Sequence, residues 1–136
     1  MKTLLHLGFF ALMMFAATTL YAQTPQGIRY QAVARDLSGS LITDQDIRIR
    51  ISITDKFDRQ IYYTEIHTLQ TNHHGLFSLS IGQGDVVTGV FADIPWATGD
   101  KWLKIEMDPK GGGNFVLINS SELQSVPFAL FSAESK

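Results

Sequence analysis

Two carboxylates two residues apart, Glu106 and Asp108 in "KWLKIEMDP", are the first pair that could do chemistry. On a strand they share a face about 6.6 Å apart, inside the carboxylate separations that glycoside hydrolysis uses. A domain with one core offers little room for a cleft around them. They read instead as outer-face charges, with Asp108 opening a turn before Pro109. His67, His73 and His74 suggest zinc. However, His73 and His74 are adjacent in "TNHHG", and the chain has no cysteine to complete a set of four ligands. Solvated turn histidines are the plainer reading. Asp36, Asp44, Asp46, Asp55 and Asp58 supply the oxygens that calcium prefers. Their spacing matches no calcium loop, and aspartate is also a turn former. "GQGD" and "GGGN" open no helix, so they read as turns rather than phosphate cradles. There is no nucleophile elbow, triad spacing or phosphate-binding loop, so no catalytic residue, cofactor or metal is assigned.

Aromatic residues are the better candidates. Tyr62, Tyr63, Trp96 and Trp102 could stack on sugar rings or anchor a protein partner. Trp102 falls on the face opposite Leu103, Ile105 and Met107, which predicts an aromatic on the outside of a sheet.

These residues are positioned by strands. "DIRIRISITD" alternates Ile47, Ile49, Ile51 and Ile53 with Arg48, Arg50, Ser52 and Thr54, which is a half-buried strand. "IRYQAVAR" alternates in the same way, and "DLSGSLITDQ" between the two is rich in turn formers. The pair could form a hairpin or cross between sheets. "RQIYYTEIHTLQT", "GLFSLSIGQG", "KWLKIEMDP" and "NFVLINS" read as further strands, and "SVPFALFS" as a candidate last one. "DVVTGVFADIPWATGD" reads as a short strand with a loop or a helical turn around Phe91 to Trp96. The predicted fold is all-β: an antiparallel β-sandwich of Ig-like or Greek-key type with about seven strands.

The N-terminus "MKTLLHLGFFALMMFAATTLYAQ" has one basic residue, Lys2, an apolar run from Leu7 to Ala17, and small residues near Ala22. This pattern predicts a removed signal peptide over residues 1–22 and a single domain over 23–136. The apolar run is too short for a comfortable membrane span. Export to the periplasm, the cell surface or the medium follows, with no membrane insertion after cleavage. The formal charge of the 136-residue chain is −2, one unit more negative once Lys2 leaves with the leader. With no basic patch, nucleic acid is a poor partner. The absence of cysteine excludes disulfides and a lipoprotein anchor.

"IRYQAVARDLSGSLITDQDIRIRISI", "YTEIHTLQTNHHGLFSLSIGQG", "DIPWATGDKWLKIEMDP" and "LQSVPFALFSAES" together resemble an uncharacterised N-terminal domain of exported Bacteroidota proteins. That domain reads YQAVARD, then NxFGLF, a W-A-T-G segment, and a closing SVPYALYA. The resemblance covers about Pro25 to Glu134. Phe128 and Phe131 stand here in the tyrosine positions of the closing motif. It implies a cell-surface or secreted β-domain, placed ahead of stalk-like or repeat regions in adhesin-like or tail-fibre-like proteins, with no catalytic residues to carry over. The expected function is therefore an exported, non-enzymatic structural or adhesion module. Its partner would be a protein or a surface assembly. The alternative is a carbohydrate-binding module that meets polysaccharide through exposed aromatics.

Val126 and Phe128 alternate with Pro127 and Ala129, so the terminal run reads as a strand sealing the sandwich, with Val126, Phe128 or Phe131 packed on the core. Deleting residues 127–136 is then expected to cost several kcal/mol, read from thermal or urea unfolding. An unchanged melting temperature would refute the packing of this run.

Overall fold

The computed structural model describes residues 27–124, and the expected leader and terminal strand lie outside them. Among the described residues, seven strands form two antiparallel sheets. They are β1 (Ile28–Val33), β2 (Asp46–Thr54), β3 (Ile61–Gln70), β4 (Leu76–Ile81), β5 (Asp85–Thr88), β6 (Lys101–Asp108) and β7 (Val116–Leu123). The smaller sheet pairs β1 with β4, and the larger has the order β5-β3-β2-β6-β7. The chain is thus an all-β sandwich. Its seventh strand is the short β5, drawn from the segment that looked irregular in sequence. A single 3-10 turn at Phe91–Asp93 follows it. Among the described residues, no helix is long and apolar enough to cross a membrane.

The alternation in β2 organises the core. Ile47, Ile49, Ile51 and Ile53 are all buried, and β2 is the middle strand of the five. β3 and β6 flank it in register, with Ile51 opposite Glu65 on one side and Ile105 on the other. Leu103, Ile105 and Met107 of β6 join the same buried cluster, as do Phe77, Leu79 and Ile81 of β4. The outer face is polar. Arg50 makes a two-pronged pair with Glu106, Nε to Oε1 at 3.0 Å and Nη2 to Oε2 at 2.7 Å. Its guanidinium also lies 4.2 Å from the centre of the Phe115 ring. Glu106 is therefore a paired carboxylate and not a solvated one.

β1 and β2 do not form a hairpin. They lie in different sheets, and the chain between them turns on Asp36, whose Oδ1 accepts from the backbone N–H of Ser38 and Ser40, each at 2.9 Å. Asp108 ends β6 in a comparable way. Its buried carboxylate accepts from the N–H groups of Gly113, Lys110 and Gly111, which hold it below the ordinary carboxylate range despite the opposing effect of burial. At Gly89, φ is +79° and an added Cβ would collide with the Tyr62 carbonyl oxygen, so β5 can leave β3 there only through glycine.

Ile51→Ala is expected to lower unfolding free energy by about 2–5 kcal/mol, because β2 is covered on both sides and cannot collapse onto the cavity. Leu37→Ala, at a position 92% exposed, should stay within about 0.5 kcal/mol of the parent. Urea titration of the two variants checks both.

Candidate functional site

Period two on β3 puts Tyr63, Glu65, His67 and Leu69 on the inner face, opposite the isoleucines of β2. A carboxylate therefore enters the core: Glu65 is 0% exposed. It is met by four donors. The Tyr63 hydroxyl donates to Oε2 at 2.6 Å, and His67 Nε2 bonds Oε1 at 2.7 Å. The Gly82 N–H reaches Oε1 at 2.9 Å and Oε2 at 3.1 Å, and the Gly84 N–H reaches Oε2 at 3.0 Å. Burial alone would raise the Glu65 pKa. The bonds from His67, Tyr63, Gly82 and Gly84 outweigh it and hold the group below its ordinary value. Burial, then the neighbouring carboxylate, pushes the Tyr63 phenol well up, so it stays a neutral donor. A Tyr–Glu–His grouping can look catalytic, but here each carboxylate oxygen is saturated and the group faces the core. It clamps the turn between β4 and β5 onto β3. At Gly84 an added Cβ would come within 2.7 Å of His67 Nε2, so this turn closes on the clamp only as glycine.

The clamp also aims an aromatic series. The Tyr63 ring meets Phe91 edge-on, with centroids 5.4 Å apart, and Phe91 meets Trp96 in the same way at 5.8 Å. Trp96 is half-buried at the mouth of a cavity of about 190 Å³, shared with Asp100, Lys101, Glu122, Leu123 and Gln124. Lys101 is only 3% exposed. Its ammonium donates to the carbonyl oxygens of Thr98 and Gly99, the latter at 3.3 Å, and sits 4.9 Å from the centre of the Tyr62 ring. Burial lowers its pKa, and Asp100 partly opposes that. Among the described residues, Asp100, Glu122 and Gln124 make no side-chain hydrogen bond.

The sequence candidates separate. Trp96 lines the cavity, and Tyr62 lies under the Lys101 ammonium. Tyr63 is corrected: it is fully buried and offers no surface to a partner. Adjacent residues on a strand face opposite sides, so Tyr62 and Tyr63 cannot both serve one surface. Trp102 is on the outer face as expected, paired in register with Thr54 and Glu122. It is half-buried, and its indole N–H is covered without an acceptor. Val126, Phe128 and Phe131 lie outside the described residues. His67 is also corrected, from a solvated turn residue to a largely buried strand residue bound to Glu65. Glu65 and Lys101 were missed, although the alternation of β3 against β2 was enough to place Glu65 inside. Among the described residues no three His, Asp or Glu converge as a metal site. Asp36, Asp55 and Asp58 bond to turn N–H groups, a turn hydroxyl or Lys104 instead.

Residues 29–134 match the family model described as "Domain of unknown function (DUF8740)". No curated protein and no solved structure matches the chain.

Because its folded pKa is depressed, Glu65 contributes stability that is fully present above the unfolded value of about 4.3 and lost as pH falls through the folded pKa. Glu65→Gln places an NH₂ among donors, so it is expected to cost about 1–3 kcal/mol at neutral pH and to flatten the acid limb of stability. Urea unfolding at pH 7 and at pH values below 4.3 measures both effects. An unaltered acid limb would show that the clamp is not the titrating element.

Proposed function

Because the chain belongs to this family of domains of unknown function, we propose that it is an exported, non-enzymatic module of the cell surface or secreted space with a structural or adhesive role. The observation that carries this reading is that, among the described residues, each outermost strand of the large sheet is paired on one side, β5 with β3 and β7 with β6. Neither strand contains Lys, Arg or Pro, the residues that usually blunt an edge. Val86 and Val87 on β5 are each 58% exposed, and Val116, Leu117 and Ile118 on β7 are exposed as well. β5 is blunted by its length of four residues, whereas β7 runs for eight; the apolar β7 edge suits strand addition, in which main-chain bonds supply affinity and alternate side chains supply selectivity. The predicted leader and the resemblance to exported Bacteroidota proteins agree with a role outside the cytoplasm. A carbohydrate-binding reading is the second, favoured by Trp96 and the polar residues Asp100 and Gln124 that line its cavity.

Cell fractionation with protease added to intact cells tests the first reading. The chain is expected in the surface or medium fraction and accessible to protease; recovery in the cytoplasm would refute it. Leu117→Lys on β7 should leave the melting temperature close to that of the parent while releasing the chain from its surface assembly. Retention of this variant at the surface would show that β7 is not the attachment edge.

A further inference from the structure

We infer that the cavity beside Trp96 is a binding subsite for one ring of a neutral sugar, a step that rests on the carbohydrate reading above. The cavity of about 190 Å³ is small for a cofactor but is on the scale of a single ring. The indole supplies a flat apolar platform for the C–H face of a sugar. Its orientation is fixed from behind by the edge-on contact with Phe91, itself set by Tyr63. A platform held in place in the free protein loses little freedom on binding. Around it the polar groups are of the right kind. The Asp100 carboxylate can accept hydroxyl protons, and the Gln124 amide, just beyond β7, can both donate and accept. Among the described residues neither side chain makes a hydrogen bond.

A cationic side chain would also be drawn to an indole with an acid nearby. Lys101, however, is among the residues that line the same cavity. Its ammonium is anchored by the carbonyl oxygens of Thr98 and Gly99 and cannot swing away without leaving them unpaired. A second cation would meet that fixed positive charge, whereas a neutral polyol meets no such repulsion.

The chain holds two tryptophans, which makes the test direct. Trp102→Phe removes a covered N–H that has no acceptor and leaves Trp96 as the sole indole. Its fluorescence is followed while glucose, galactose, mannose, xylose or N-acetylglucosamine is added, with free arginine as the cationic probe. A saturable shift with at least one neutral sugar, weakened at least tenfold by Asp100→Asn, is the expected result. Calorimetry on the parent and on Trp96→Ala separates the two ideas. Sugar binding that survives Trp96→Ala undiminished would overturn this subsite while leaving the carbohydrate reading standing. Absence of binding to every sugar would overturn both, and a response to arginine alone would reassign the cavity to a cationic side chain. Should Trp96→Ala fail to fold, Asp100→Asn on the exposed loop carries the same calorimetric comparison.

Discussion

The carboxylate of Glu65 is the constraint on which the neighbouring loops depend. A charge in the core is tolerable only when its oxygens are matched by donors, and here the donors come from two places in the chain. Tyr63 and His67 belong to the same strand, whereas the Gly82 and Gly84 amides belong to the turn that follows β4. Satisfying Glu65 therefore fixes where that turn must lie, and the turn starts β5 alongside β3. The same bond holds the Tyr63 ring at the angle that receives Phe91, and through Phe91 it sets Trp96. One buried charge thus connects the central sheet to the loop that forms the cavity wall.

Buried charge has the same use elsewhere in the molecule. Asp108 draws the backbone amides of the glycine-rich turn after β6 onto a single carboxylate, and Lys101 gathers the carbonyl oxygens of the loop before it. β6 is therefore bounded at each end by an ionic side chain that organises a turn. Such groups are poorly placed for reaction, since their lone pairs and protons are already engaged. Among the described residues, the exposed apolar side chains of the β5 and β7 edges and the polar groups near Trp96 lie outside these internal networks.

Much of the strand pattern was legible in the sequence because a period of two is a local property. The isoleucines of β2, the Phe77–Leu79–Ile81 series and the alternation of β6 each assign a face without knowledge of any partner. Trp102 on the outer face follows from the same rule. Applied strictly, the rule also separates Tyr62 from Tyr63 and turns Glu65 and His67 inward, yet a carboxylate and an imidazole are ordinarily surface residues and composition argued against it. The amides that make Glu65 acceptable come from residues 82 and 84, about twenty positions away, and no local pattern announces them.

The sequence by itself determined the all-β class, the approximate strand number, the buried face of each strong strand and the turn-forming character of the aspartates and glycines. These follow from side-chain alternation and backbone preference, which act between near neighbours. Only the tertiary structure decided that β1 leaves β2 for the other sheet, that the weak segment Asp85–Thr88 pairs with β3, and that Trp96, Asp100, Lys101 and Glu122 share one cavity. The physical reason is that sheet order and cavity membership depend on which distant groups satisfy one another's hydrogen bonds and charges. That matching exists only once the strands are laid side by side.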